Sequence, residues 1–239
     1  MRTLVVGAAI VDLMMKVERL PKSGEDIPCK ETKTVVGGCA YNVANTLRNL
    51  NCEHDLCVPV GSGSFADIIR RGMREKGYEP MIEEPGEDNG YCLSLVEADG
   101  ERTFITNRQG SLWKFKYEDL DMSALKGAKI LSFASIFNNP LFDNKALVSV
   151  FSKAKEEGMI ICADMVSPRL NEKLEDITEA LSYVDYFFPN FEEASEMTGE
   201  TDEAKVADKL YACGVKNVIM KIGKRGCYIR NADGAMIVP

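Results

Sequence analysis

Short apolar runs bounded by glycine, proline or asparagine alternate along the chain with longer stretches of helical period. Continuous apolar runs mark strands covered on both faces, whereas the longer period marks helices with one buried stripe. The runs predict strands at residues 3–10, 56–60, 130–133, 159–163, 186–188 and 218–222. The helical period predicts helices near residues 40–50, 65–76, 144–156, 172–181, 192–197 and 203–212. Many of these close at glycine or asparagine, as helix C-termini do. Strand and helix in alternation specify a parallel sheet with helices on both faces, so the predicted class is a doubly wound, mostly parallel α/β fold. Two regions break the alternation: residues 26–36 and residues 90–106, the second with an Asp99-Gly100 hairpin signal between residues 91–97 and 102–106. They predict a small β appendage beside the main sheet. No internal repeat, low-complexity tract or long linker divides the 239 residues, and one domain is expected.

Composition narrows the function classes. A hydrophobic content of 45% supplies a substantial core and is not that of a disordered chain. The net charge of -8 argues against a general nucleic-acid or anionic-membrane surface, although an anionic cofactor needs only a local basic pocket. The apolar run at residues 4–11 stops at Asp12, too short for a membrane span and without a cleavage region. We therefore expect neither signal peptide nor anchor, and a cytoplasmic protein. The eight cysteines are scattered without a C-x-x-C pair and read as small, reduced core residues. His54 is the one histidine and stands in a polar stretch, which disfavours mechanisms and metal sites built on imidazole. Chemistry is left to carboxylates, backbone dipoles, lysine or a cofactor metal.

Several segments are candidates, each with a plainer reading beside it. In Val36-Gly37-Gly38-Cys39-Ala40-Tyr41-Asn42, two glycines end an extended segment and a helix begins. Glycine permits close approach of a ligand, and Asn42, about one turn in, has an amide that both donates and accepts; the alternative is an ordinary strand-to-helix turn. Asp12 follows the first predicted strand, where α/β sheets bind ligands, or is a turn aspartate. Asn190 and Glu193, at i, i+3 on the first turn of a short helix, suit a hydrated magnesium ion or form a capping box. Lys221, Gly223 and Gly226 follow a strand and read as a phosphate-binding turn or a plain hairpin; no Walker A motif is present. Gly61-Ser62-Gly63-Ser64-Phe65-Ala66 matches G-x-G-x-x-A, with Glu83 and Glu84 about twenty residues on, and raises a nicotinamide dinucleotide-binding oxidoreductase as a rival.

Taken in order, these segments resemble the ribokinase, or PfkB-type, carbohydrate kinase family. The resemblance is carried by Gly7 to Asp12, Gly37-Gly38 to Asn42 and Ala44, Asp164 to Arg169, Pro189-Asn190 to Glu193 with Thr198-Gly199, and Lys221 to Gly226. It spans almost the whole chain. It implies a ribokinase-like fold over residues 1–239, with lid segments at approximately 13–36 and 90–106, and phosphorylation of a sugar or nucleoside primary hydroxyl by ATP with Mg2+. By the same resemblance Asp12, Gly37, Gly38 and Asn42 bind substrate hydroxyls. Asn190 and Glu193 organise the magnesium and phosphate region, with Glu193 toward the metal. Lys221, Gly223 and Gly226 lie along the nucleotide, and Asp164 and Arg169 lie near the phosphates. The resemblance also implies a homodimer clasped through the lids and leaves monovalent cation activation open.

There are departures from the family pattern. Asn51 replaces a usual glycine or serine, Gly63 stands where an acid is common, and Lys221 replaces a common threonine or serine. Ser135 stands near the position of a sugar-binding glutamate of ribokinases, which argues against ribose itself. The family's Asp-Thr-x-Gly-Ala-Gly-Asp segment, whose last aspartate is the base, has no match. The catalytic aspartate is therefore expected beyond Pro239, and the 239-residue chain is expected to be a truncated form without turnover. The alternative from another class is a non-catalytic sugar- or nucleoside-binding module.

Overall fold

A computed structural model describes residues 1–84, 86–107 and 109–239. In chain order its strands begin with β1 (Thr3–Val6), β2 (Ile10–Lys16), β3 (Glu31–Gly37), β4 (His54–Cys57), β5 (Pro59–Val60), β6 (Ile82–Glu83) and β7 (Tyr91–Val96). They continue with β8 (Arg102–Thr106), β9 (Ile130–Ile136), β10 (Ile160–Met165), β11 (Tyr186–Phe187), β12 (Asn217–Lys221), β13 (Cys227–Asn231) and β14 (Gly234–Val238). The helices are α1 (Cys39–Asn49), α2 (Ser64–Glu75), α3 (Asn144–Glu156), α4 (Leu174–Leu181), α5 (Phe191–Thr198) and α6 (Glu203–Ala212).

The main sheet has eight strands in the order β14-β13-β12-β11-β10-β9-β1-β4. Pairing from β4 to β12 is parallel, and the β12-β13-β14 edge is antiparallel. Every residue of β1 is buried. Leu4 and Val6 enter the core shared with α3 and α4, whereas Val5 enters the core shared with α1 and α2. A strand covered on both faces needs apolar side chains in both phases of its alternation, and so it reads as an unbroken run.

The run predicted as one strand over residues 3–10 is two. At Gly7 a Cβ would lie 2.6 Å from the Ala134 carbonyl oxygen, and past this close approach the chain leaves the main sheet and enters a second one as β2. That sheet has the order β3-β2-β7-β8, with β2 and β7 parallel and each outer strand antiparallel to its neighbour. Its hairpin turns at Asp99-Gly100, where Gly100 takes φ 91°. The 3₁₀ turns Ser111–Trp113, Tyr117–Asp119 and Met122–Leu125, which no apolar period announces, carry the chain to β9 and bury Leu112, Leu120 and Leu125.

The cysteines are all free thiols. Cys57 and Cys92 are buried, and burial pushes the Cys57 thiol up to about 12; Cys29 and Cys52 are exposed, contrary to a uniform core role. His54 opens β4 instead of lying in a turn, with Nε2 2.9 Å from the Tyr78 hydroxyl. Among the described residues no helix is long and apolar enough to cross a membrane.

Candidate functional site

Asp12, expected in a turn after the first strand, lies inside β2, opposite Val35 of β3 and Cys92 of β7. The break at Gly7 moves it there. Its carboxylate packs against Gly37, where any Cβ would overlap Oδ2, and burial raises its pKa above the usual carboxylate range. Gly38, at φ 97°, is the N-cap of α1, and a Cβ there would lie 2.5 Å from the Ala8 carbonyl oxygen. Both glycines are thus required by close approach, as well as by the turn. Helix α1 buries Ala40, Tyr41 and Ala44, which leaves Asn42 exposed one turn in, its N–H donating to the Gly38 carbonyl at 2.9 Å. Asp12, Gly37, Gly38 and Asn42 share the junction between the two sheets.

A second group gathers at the ends of β10, β11 and β12. Asp164 of β10 accepts a hydrogen bond from the Ser135 N–H through Oδ1. Burial raises its pKa, against the opposing pull of that N–H and of Lys221. Ser135 itself is held at φ 68°, and its buried Oγ has no hydrogen-bond partner. Asn190 caps α5: its Oδ1 accepts from the Glu193 N–H at 2.7 Å, and Glu193 Oε2 accepts from the Asn190 N–H at 3.4 Å. The capping box is therefore formed, with its return bond long. Glu193 is pushed up chiefly by burial, with Asp164 raising it further and Lys221 lowering it. Lys221 ends β12, its N–H donating to the Pro189 carbonyl at 2.9 Å.

Cys39 ties the two groups together. Its thiol is raised by burial first, then raised by Asp164 and Glu193 and lowered by Lys221. The residue next to Gly38 therefore lies within electrostatic reach of the ends of β10 and β12 and the start of α5. The folded chain brings into one place residues separated by more than a hundred positions.

The remaining candidates divide. Gly223 takes φ 64° with open space where a Cβ would stand. Gly226 takes φ 93°, and a Cβ there would overlap the Val238 carbonyl, so the β13–β14 pairing accounts for it. Arg169, in the loop after β10, forms part of the wall of a cleft with Ile10, Thr106 and Asn138. The Gly61-Ser62-Gly63 turn does not receive a dinucleotide. Asp88 Oδ1 accepts from the Ala66 N–H at 2.8 Å and Oδ2 from the Phe65 N–H at 3.3 Å, so a carboxylate already occupies the α2 N-terminus. A Cβ on Gly61 would overlap the Glu87 carbonyl, which fills the approach a pyrophosphate needs. Among the described residues no group of three or more His, Cys, Asp and Glu is arranged to hold a metal. Cys39, Asp88 and Asn138 carried no motif signal; their roles come from contacts between distant segments.

Compared with known proteins, residues 2–239 match the model of the pfkB family carbohydrate kinases. The uncharacterized sugar kinase YegV of Escherichia coli (strain K12) is 44% identical over 103 residues, which are 43% of this chain and 32% of that protein. Ribokinase of Arabidopsis thaliana is 26% identical over 237 residues, 93% of this chain and 59% of that protein. The chain spans less than two thirds of the length of either relative. The solved structure of Arabidopsis thaliana ribokinase complexed with ribose and ATP matches with a TM-score of 0.79 at 24% identity, covering 99% of this chain and 77% of that one. That likeness establishes a ribokinase-like α/β fold.

Proposed function

The chain belongs to the pfkB family of carbohydrate kinases, and from that premise we propose that it serves the ATP-dependent phosphorylation of a primary hydroxyl on a sugar or sugar-like alcohol. The observation that carries this reading is the convergence of Asp164, Glu193 and Lys221 on Cys39, beside the Gly37-Gly38 turn. One end of the junction offers groups for hydroxyls and the other a cation beside two carboxylates, as a phosphoryl donor and its metal require.

In this reading Asp12 accepts hydrogen bonds from substrate hydroxyls, the Gly37-Gly38 backbone approaches the sugar closely, and Asn42 donates and accepts. Lys221 supplies positive charge to the phosphates, and the Gly223 turn leaves room along the nucleotide. Magnesium fits the donor set as a hydrated ion: Asn190, Glu193 and Asp164 are oxygen donors too few for a dry cage, and magnesium keeps several waters. Bound with the nucleotide, it neutralises phosphate charge. The second sheet serves as a lid over the sugar, and its exposed outer strands as the clasp of a homodimer. The protein works in the cytoplasm, and a monovalent cation is a further candidate cofactor. No Asp-Thr-x-Gly-Ala-Gly-Asp segment stands among residues 1–239, so these residues alone bind sugar without turning it over.

A phosphorylation screen over ketoses, pentoses and nucleosides, paired with calorimetry, tests the reading. Asp12→Ala is expected to weaken sugar binding at least about tenfold, the value of hydrogen bonds to a charged acceptor. Sugar affinity untouched by Asp12→Ala overturns the site assignment, and robust turnover by residues 1–239 alone overturns the claim about the missing base.

A further inference from the structure

The cleft that contains Arg169 adjoins Asp12. Its wall takes Ile10 and Thr106 from the second sheet, Trp113 from a 3₁₀ turn, and Asn107, Asn138 and Arg169 from loops. Ile10 and Asp12 are two positions apart on β2 and face the same side. Asp12, Cys92 and Thr106 stand opposite one another across β2, β7 and β8. Two strand spacings, about 10 Å, separate Asp12 from Thr106, the scale of a hexose derivative.

Among the described residues lining this cleft, Arg169 alone carries a formal charge. Its Nε is shielded from solvent, so the side chain is packed into the wall instead of trailing in water. Hydroxyls of a neutral sugar are met best by groups that both accept and donate. A guanidinium accepts nothing, and its fixed fork of donors matches the paired oxygens of a carboxylate or phosphate. In a chain of net charge -8, a cation in a wall without a carboxylate creates a local attraction for anions that the rest of the surface opposes. We propose that the sugar taken by this site carries an anionic group, a carboxylate or a phosphate ester, seated against Arg169 while its hydroxyl-bearing part reaches Asp12. This rests on the sugar-site reading of Asp12 above.

Calorimetric titration of the intact protein with fructose, gluconate and fructose 1-phosphate tests the proposal. One anionic probe is expected to bind at least about tenfold tighter than fructose, the effect of charge-assisted hydrogen bonds; which of the two leads identifies carboxylate or phosphate as the group recognised. Arg169→Gln is expected to collapse the ratio of anionic to neutral affinity toward one. Asn138→Asp, which sets an opposing carboxylate in the same wall with almost no change of shape, is expected to do the same. Fructose binding as tightly as both anions, or a ratio unmoved in both variants, overturns the proposal. If Asp12→Ala then still weakens fructose binding, the sugar-site reading survives without it. Failure of the wild-type protein to bind any probe overturns both.

Discussion

In the eight-stranded sheet β1 buries all four of its residues, whereas in the four-stranded sheet β8 exposes all five. Both sheets satisfy their backbone groups by strand pairing, but only the first is sandwiched between helices that remove its side chains from water. In the second, β2 is the strand with a buried interior, and the outer strands β3 and β8 lend hydrogen bonds without a core of their own. Stability therefore resides in one sheet, while the other is held at the mouth of the junction where Asp12, Gly37 and Arg169 lie. Elements that must move or meet a ligand are drawn from the weakly buried end of a structure, and the second sheet has that character.

The contrast is broken most directly by truncation in each sheet. Leu131→Ala in β9, a fully buried position, should cost about 2 to 5 kcal/mol in urea unfolding. Phe104→Ala in β8, 59% exposed, should stay within about 0.5 kcal/mol of wild type. Equal costs at the two positions would mean that the second sheet has a cover of its own.

The next largest effect concerns a charge at the main sheet's edge of the core. Asp185 accepts from the Ile161 N–H at 2.7 Å and pairs with Lys155 and, at 2.8 Å, with Lys216. Burial pushes its pKa up, but these partners together hold it below the usual value of 3.8. A depressed folded pKa means that the stabilisation is complete above the unfolded value and is lost as pH falls through the folded one. Asp185→Ala should cost about 3 kcal/mol at neutral pH, because it leaves cations without their partner. The variant's stability should also lose part of its acid dependence, and an unchanged acid transition would contradict the assignment.

The smallest effect has the opposite sign. Asp164 has its pKa raised above 3.8 by burial, so the folded chain holds its proton more tightly than the unfolded one. Stability is then highest below the unfolded value and falls as pH rises through the folded one. Asp164→Asn, which keeps an oxygen to accept from the Ser135 N–H, should raise the thermal midpoint at neutral pH and lose that advantage in acid. A lower midpoint at neutral pH would show that the carboxylate is stabilising there and that its burial is not a cost retained for function.

Legibility in the sequence follows the same division. The helices at residues 144–156 and 203–212 stand at their predicted bounds because their buried stripes repeat with the helical period and Asp143 and Asp202 cap them through side-chain oxygens. The Asp99-Gly100 hairpin is equally local. The 3₁₀ turns between β8 and β9 have no period to read, and Gly7 breaks a run that looks continuous because Ala134, more than a hundred residues away, approaches its Cα. The Gly61 turn shows the reverse case: its glycines fit a dinucleotide motif, yet they are required by Glu87 and Asp88, whose contact with the turn no local pattern announces.

What the sequence determined by itself is whatever depends on neighbours along the chain: the alternation of strand and helix, the glycine turns, the caps, and the ordered segments that place the chain among carbohydrate kinases. The tertiary structure alone decided which side of each segment meets which other. It moved Asp12 into a strand, set Arg169 in the wall of the cleft, put a carboxylate where a pyrophosphate was a candidate, and drew Asp164, Glu193 and Lys221 around Cys39. The reason is physical: dihedral preferences and hydrophobic period act over a few residues, whereas burial, charge and close approach are properties of the space that distant segments enclose.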